Sequence, residues 1–483
     1  MSSQRRTASP GLGGTEYLLP QSRDDNLDDV EFAAWRDGKP RLAYLSRAVS
    51  PQAILRLLSF IRPSFMSKRK ATIDAAEKVP YTPRHSTEYL DGVRGVASLI
   101  VFILHWSHMS YPSVNSGWGY RENKSFLLLP FIRILFSGAS MVSVFFVVSG
   151  FVLSHRFIQR MHRGEYSELY TGLTSITFRR AIRLYLPAFV SSLMAFVAAC
   201  FGLIVIPKRI DGIPFEHGLD AYVRYLDSES NPWNWELDFS GFYNPQLWSI
   251  AVEFRGSMIV FLLVLSLAKT RTVVRLAVEG FLVAHSFAHK RWDLALFIAG
   301  MALAELQVLY VKNSSLSRSR IFSVALYVTM IFGIFLSGYP KDHNTETPGY
   351  IWTGNLWPYS SYRRRFWLAI SAMLIVGPLT VLPRIQSFFL ISPVRYLGRI
   401  SYALYLVHGL GNRSIGKWLL HRCWETIGKE GTWPYALSFV VSSSIYFPMV
   451  IWLSDIFWRA IDIPSTDIAK WLERKCSARN IAK

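Results

Sequence analysis

Two ionisable residues inside one apolar run open the chemistry of this sequence. The stretch YLDGVRGVASLIVFILH, residues 89–105, places Arg94 eleven positions before His105. On a helix that spacing is close to three whole turns, so both side chains fall on one face, separated by about 16 Å of rise. An ionisable group within a membrane span costs about 2.5–3.5 kcal/mol on insertion scales, so its presence points to a role. His105 suits a general base, but a histidine bonded to a neighbouring helix, or one at the far interface, fits the same pattern. His108, one turn on, reads as interfacial.

Three further groups belong with this pair. Glu253, in QLWSIAVEFRG from residue 246, and His408, in SYALYLVH from residue 401, sit near the ends of two other apolar runs. If His105, Glu253 and His408 share one depth, a carboxylate or a second imidazole could orient His105 as a base; the plainer reading pairs Glu253 with Arg255. Arg180 and Arg183 lie one helical turn apart in FRRAIRLYLP, a spacing that suits a phosphate, as does an ordinary cytosolic cluster of positive charge. Ser149 and Gly150, in VFFVVSGF, form a small pair that allows either close helix packing or room for a ligand, packing being the simpler use.

The elements that must carry these residues are membrane spans. The chain has 483 residues, 51% hydrophobic and 15% aromatic, with mean hydropathy +0.21. Its apolar residues are gathered into ten segments: 92–107, 134–154, 184–206, 247–268, 273–288, 292–311, 321–338, 366–382, 397–412 and 436–455. Backbone groups in lipid must be satisfied within the segment, so an all-α polytopic bundle of about ten transmembrane helices is expected. It would occupy residues 86–458, after a polar, largely disordered arm over 1–85 and before a basic tail over 459–483. Within the arm, Ile54 to Phe65 has some amphipathic character, and no signal-peptide core precedes it. The net charge of +20 lies between the apolar runs and in the tails, as anionic lipid and topology require, and no basic-aromatic module points to nucleic acid. Cys200, Cys423 and Cys476 have no metal-ligand spacing.

Lys and Arg fall in the arm before the first span and in the even connections, while the third connection is acidic from Asp211 to Asp238. Both termini are therefore expected in the cytosol of a multi-pass protein of the plasma membrane or an endomembrane. Arg363, Arg364 and Arg365 resist this scheme, since they fall in an odd connection.

Five of these stretches, in order along residues 89–408, resemble the motifs of the membrane acyltransferase-3 family: Arg94 and His105 its Arg, ten residues, His; FFVVSGF from residue 145 its second-span motif; Arg180 to Arg183 its Arg-x-x-Arg; LWSIAVE from residue 247 its Leu-Trp-Ser motif; and GRISYALYLVH from residue 398 its late histidine motif. Where many bacterial members have a second Glu after Glu253, this chain has Phe254, Arg255 and Gly256, a variant that resembles the fungal branch. The resemblance implies a transferase that takes an acyl group, as acetyl, from acyl-CoA at the cytosolic face to a hydroxyl of a sugar, lipid or small metabolite. It implies acyl-CoA as co-substrate and no resident cofactor. In that reading Arg180, Arg183, Ser149 and Gly150 hold the donor, Arg94 lies on the catalytic face, and His105, oriented by Glu253 or His408, takes the acceptor proton or is itself acylated. A proton-coupled transporter is the rival reading, because ionisable residues at matched depth describe a carrier too; such carriers often show internal repeats, and none is visible here.

Overall fold

Residues 61–66, 87–120, 123–205, 209–210, 213–214, 218–233, 243–313, 319–356 and 360–477 are described by a computed structural model. The helices belong to the unit Pro63–Lys483. Most of the arm over 1–85, including the amphipathic stretch up to residue 60, lies outside the described residues.

The long helices are α1 (Glu88–Ser110), α2 (Gly138–Arg163), α3 (Tyr166–Cys200), α4 (Leu219–Ser230), α5 (Trp248–Leu267), α6 (Thr272–Ala288), α7 (Trp292–Lys312), α8 (Arg320–Ser337), α9 (Ser360–Leu379), α10 (Pro383–Phe389), α11 (Ser392–Gly411), α12 (Lys417–Thr426), α13 (Thr432–Phe457) and α14 (Ile463–Cys476). Arg209–Ile210 and Ile213–Pro214 pair as a short antiparallel ladder. The chain is thus a polytopic helical membrane protein, and all ten expected apolar segments fall on helices. Among the described residues, seven helices are by themselves long and apolar enough to cross a bilayer, and an eighth if the bent pair α9 and α10 counts as one. The two others explain themselves. α6 has 17 residues, about 26 Å of rise, just short of the hydrocarbon thickness. α11 carries Arg395 and Arg399 near its start, and most of its later residues are buried among other helices rather than facing lipid.

Two close helix contacts set the frame. α1 lies against α11: a Cβ on Gly95 would stand 2.4 Å from the backbone nitrogen of Gly398, and one on Gly398 would stand 2.5 Å from the Asp91 carbonyl oxygen. α2 lies as tightly on α7: a Cβ on Gly150 would meet the Phe297 carbonyl oxygen at 2.1 Å, and one on Gly300 that of Val147 at 2.2 Å. Only glycine allows backbones so near, as small residues do between membrane helices. Gly150 is therefore a packing residue, and the space over its Cα is filled by α7. Ser149 beside it is half-buried.

The basic triplet that defied the charge pattern is absorbed by packing. The Arg365 guanidinium lies 5.6 Å from the Trp248 ring and 4.8 Å from that of Trp292, and Arg364 is half-buried. Cation–π contact with two rings gives Arg365 a reason to be there that does not depend on which face of the membrane it occupies. The connections near it are stapled by Arg133, buried, whose guanidinium donates to the carbonyls of Val114, Asn115, Ser116, Gly338 and Tyr339. At the other end α14 folds back on α3, with Arg179 bound to Glu473 at 3.1 Å. Ser64, ahead of the bundle, donates its backbone N–H and its hydroxyl to Asp455.

Candidate functional site

The Gly95–Gly398 contact fixes the register of α1 and α11. Counting ten residues onward along each helix reaches His105 and His408. Their rings are indeed neighbours, with centroids 5.4 Å apart, so the two helices run parallel and in step over about 15 Å.

The two imidazoles are differently held. His408 is fully buried; its Nδ1 lies 3.0 Å from the Leu404 carbonyl, and its Nε2 lies 3.4 Å from the Gln246 amide nitrogen. A carbonyl can only accept, so Nδ1 carries the proton and Nε2 offers its lone pair. His105 lies among closely spaced helices yet remains open to solvent-sized space, and no described residue hydrogen-bonds its side chain. Its ring nitrogens are accordingly available to a substrate. His108 is also exposed.

Glu253 is not beside them. α5 begins at Trp248, with Gln246 just ahead of it at the level of His408. Glu253 lies seven residues further, two turns or about 10 Å deeper. The expectation of one shared depth for His105, Glu253 and His408 thus fails for Glu253, because the histidines stand at the start of α5 rather than one to two turns inside it. Glu253 instead receives Arg180 at 2.6 Å, while Arg180 Nε donates to the Ser257 hydroxyl at 2.9 Å and that hydroxyl donates to the Glu253 carbonyl at 2.6 Å. Nor does Glu253 pair with Arg255, which is bound to Asp293 at 2.8 Å together with Arg291 at 2.5 Å.

Gln246, Ser249, Glu253 and Ser257 recur at spacings of three, four and four, one face of a helix. That face is a polar stripe joining the two levels. Between them the Tyr405 hydroxyl bonds Ser249 at 2.8 Å and donates to the Gln246 carbonyl at 3.1 Å. At the deeper level Arg94 and Arg183 lie near enough to Arg180 for their charges to act on it, Asp462 faces Arg183 and Arg94, and Tyr402 donates to the Leu184 carbonyl at 2.6 Å. The stripe therefore ends in a basic group of three arginines from α1 and α3 and opens, two to three turns away, on His105.

Sequence reasoning identified the ends of this stripe and missed its middle. Ser249, Tyr402 and Tyr405 lie inside motifs already singled out, and the three-four spacing with Glu253 was the available signal. Asp462 carried none, since it stands beyond the last apolar run. Above the histidine level Asn244 donates to the Ser191 hydroxyl at 2.9 Å and the Leu406 carbonyl at 3.0 Å, and Tyr222, Tyr225 and Tyr243 pack together around it. In α4, outside the spans, burial pushes the Glu229 carboxyl up to about 7. One of its oxygens is buried without a partner among the described residues.

Comparison with known proteins identifies the family and several relatives. The model of a family described as an acyltransferase domain matches residues 87–459. The O-acetyltransferase PaAT-1 of Phomopsis amygdali is 26% identical over 428 residues, 80% of this chain and 84% of that protein. Acyltransferase clz18 of Cochliobolus lunatus is 24% identical over 457 residues, 82% of this chain and 97% of the relative. Acyltransferase R4 of a Phoma species is 24% identical over 455 residues, with the same coverage. No solved structure matches significantly.

Proposed function

This chain belongs to the acyltransferase-3 family and is a membrane acyltransferase, and from that premise we propose that it carries an acyl group from acyl-CoA to a hydroxyl acceptor at His105. The single observation that carries the reading is the polar stripe of α5, with a group of arginines at one end and an accessible imidazole at the other. Arg183 and Arg94 are the phosphate contacts, since the Arg180 guanidinium is held at 2.6 Å by enclosed Glu253 and by Ser257, whereas the Arg94 pairing with Asp91 is long, 3.6 Å, and exposed. Arg180 acts through them, holding the deeper end of the site in shape. This places the donor on the arginine side, which the distribution of Lys and Arg favours as the cytosolic face.

At the other end a ring nitrogen of His105 takes the proton from the acceptor hydroxyl. The oxygen bonds to the thioester carbonyl carbon, the carbon–sulfur bond breaks, and the CoA sulfur leaves with the proton returned from His105. Acylation of His105 itself, followed by transfer to the acceptor, uses the same atoms in two steps. His408, with its Nδ1 proton held by Leu404, positions the His105 ring. The PaAT-1 relative is named an O-acetyltransferase, which supports an acetyl donor and an oxygen acceptor here.

The test is release of CoA from acetyl-CoA by purified protein in detergent, with hydroxyl compounds offered in turn. Release that requires an acceptor and is abolished in His105→Ala supports the reading. Acceptor-dependent release at the wild-type rate in His105→Ala overturns it. Arg183→Ala should raise KM for acetyl-CoA more than KM for the acceptor, and Lys at that position should restore it in part because the planar fork is lost.

A further inference from the structure

Away from the stripe, α7 and α8 follow one another in the chain yet scarcely touch; α8 packs on α9 instead. The sequence then removes the filler. Pro378 lies in the last turn of α9 and Pro383 opens α10, and the chain turns through 103° between the two helices. Proline cannot continue a helical hydrogen-bond ladder, so the bend is local chemistry, and it leaves the wedge between α7 and α8 open beyond it. The opening is a cleft of about 1060 Å³, lined by Leu303, Gln307, Phe322, Leu326, Met373 and Gly377 among others.

The cleft has a direction. Its α7 wall runs from Leu303 to Asn313, ten residues or about 15 Å of rise, which is half of the roughly 30 Å hydrocarbon thickness. One end is apolar. At the other stand Lys312 and Asn313, and just outside the lining is Arg320, which opens α8 two residues before Phe322, the ring stacked on Tyr310 of α7. Lys312 is fixed in place: its Nζ lies 2.9 Å from His162 Nδ1, whose Nε2 donates to Glu305 at 2.6 Å, and Glu305 is held by Arg275 at 2.9 Å. Gln307 is bound to His155 at 3.0 Å on the same wall. Protein interiors are close-packed, and water does not fill an apolar cavity of this kind, so within a bilayer the space is taken by hydrocarbon.

We propose that this cleft is a binding site for an anionic phospholipid. One acyl chain lies along α7 in the wedge that α8 and α9 wall on the other side, and its phosphate lies against Lys312 and Arg320. The cation end attracts anionic headgroups as a juxtamembrane basic pair does, and the length of the apolar part fits one leaflet. None of His105, His408, Glu253, Arg180 and Arg183 lines the cleft, so the site is separate from acyl transfer and stands whether or not that reading does.

Phosphatidylserine with a photoreactive group on one acyl chain tests this, using the full-length protein in lipid nanodiscs. Expected is labelling of peptides from α7 and α9, suppressed at least tenfold by excess unlabelled phosphatidylserine and several-fold weaker with the matching phosphatidylcholine probe. Filling the cleft with Thr329→Trp or Gly377→Leu should remove the labelling, Val328→Trp on the outward face of α8 should not, and Lys312→Glu should erase the preference for phosphatidylserine. Labelling of the wild-type protein that excess lipid does not suppress, or equal labelling by the two probes, would overturn the proposal.

Discussion

Arg180 on α3 and Glu253 on α5 form an ion pair at 2.6 Å, each side chain only 15% exposed, two turns from the histidine level. Ser257 adds a second contact to Arg180 from the same helix as Glu253, so α5 grips the guanidinium at two points. Removing one member leaves the other charged and largely enclosed, at a cost of about 3–5 kcal/mol. Arg180→Ala and Glu253→Ala should each lower the thermal unfolding temperature in detergent, and the exchanged variant Arg180→Glu with Glu253→Arg should recover part of it. Arg183→Ala, less enclosed, should weaken acyl-CoA binding with a much smaller loss of stability. Equal loss of stability in all three would mean that the pair has no special place.

His408→Gln should reduce turnover at least tenfold with acyl-CoA affinity unchanged, because it removes the ring packed on His105 while keeping a polar side chain of similar reach. His108→Ala should stay within a few-fold of the parent. Steady-state kinetics with varied acyl-CoA separates the two. A rise in KM alone for His408→Gln would move His408 into donor binding.

Gly398→Val forces α1 and α11 apart, since its Cβ would stand 2.5 Å from the Asp91 carbonyl oxygen. A misplacement of about 1 Å can cost about 100-fold in rate. The variant should therefore lose turnover on that order, and Gly398→Ala should lose less. Near-normal activity in Gly398→Val would show that the register of these helices does not position His105.

Glu229 makes stability depend on pH. Its carboxyl ionises near 4.5 in the unfolded chain and at about 7 when buried in the folded protein. Between those values the folded state keeps a proton that the unfolded state has lost, so stability falls as pH rises from 4.5 to 7 and then levels, by up to about 3 kcal/mol in all. Glu229→Gln should flatten this part of the unfolding profile and raise the unfolding temperature at pH 8. A profile that keeps its slope in the variant would assign the effect to another group.

Orientation can be read from glycan acceptors. Asn123 lies in the first connection and Asn313 just after α7, exposed, while the Asn412 side chain is buried and accepts from the Tyr446 hydroxyl at 2.9 Å. With the arginine end in the cytosol, expression in a eukaryotic host should modify Asn123 alone, seen as a glycosidase shift absent in Asn123→Gln. A glycan on Asn313 would place Arg94 and Arg183 on the side away from cytosolic acyl-CoA and remove the donor assignment.

Local sequence determined the parts of this protein whose cause is local. Runs of apolar residues require helices because lipid leaves the backbone no other partner, and the eleven-position step from Arg94 to His105 puts both on one face whatever surrounds them. The small pair at Ser149 and Gly150 was legible as packing, and its partner, Phe297, was not. Contacts between helices distant in sequence were decided only by the tertiary structure. The level of α5 relative to α1 and α11 gave Glu253 to Arg180 rather than to the histidines, and a shift of two turns along a helix leaves no mark on apolar periodicity. The two glycines that bring α1 against α11 look like any others in the chain until the helices meet, yet their contact is what places His105 beside His408. Arg365 read as a misplaced charge because charge counting cannot see Trp248 and Trp292 closing around it. The cleft at Lys312 arises where two neighbouring helices fail to pack and a third turns away, and such a gap exists only once all three are assembled.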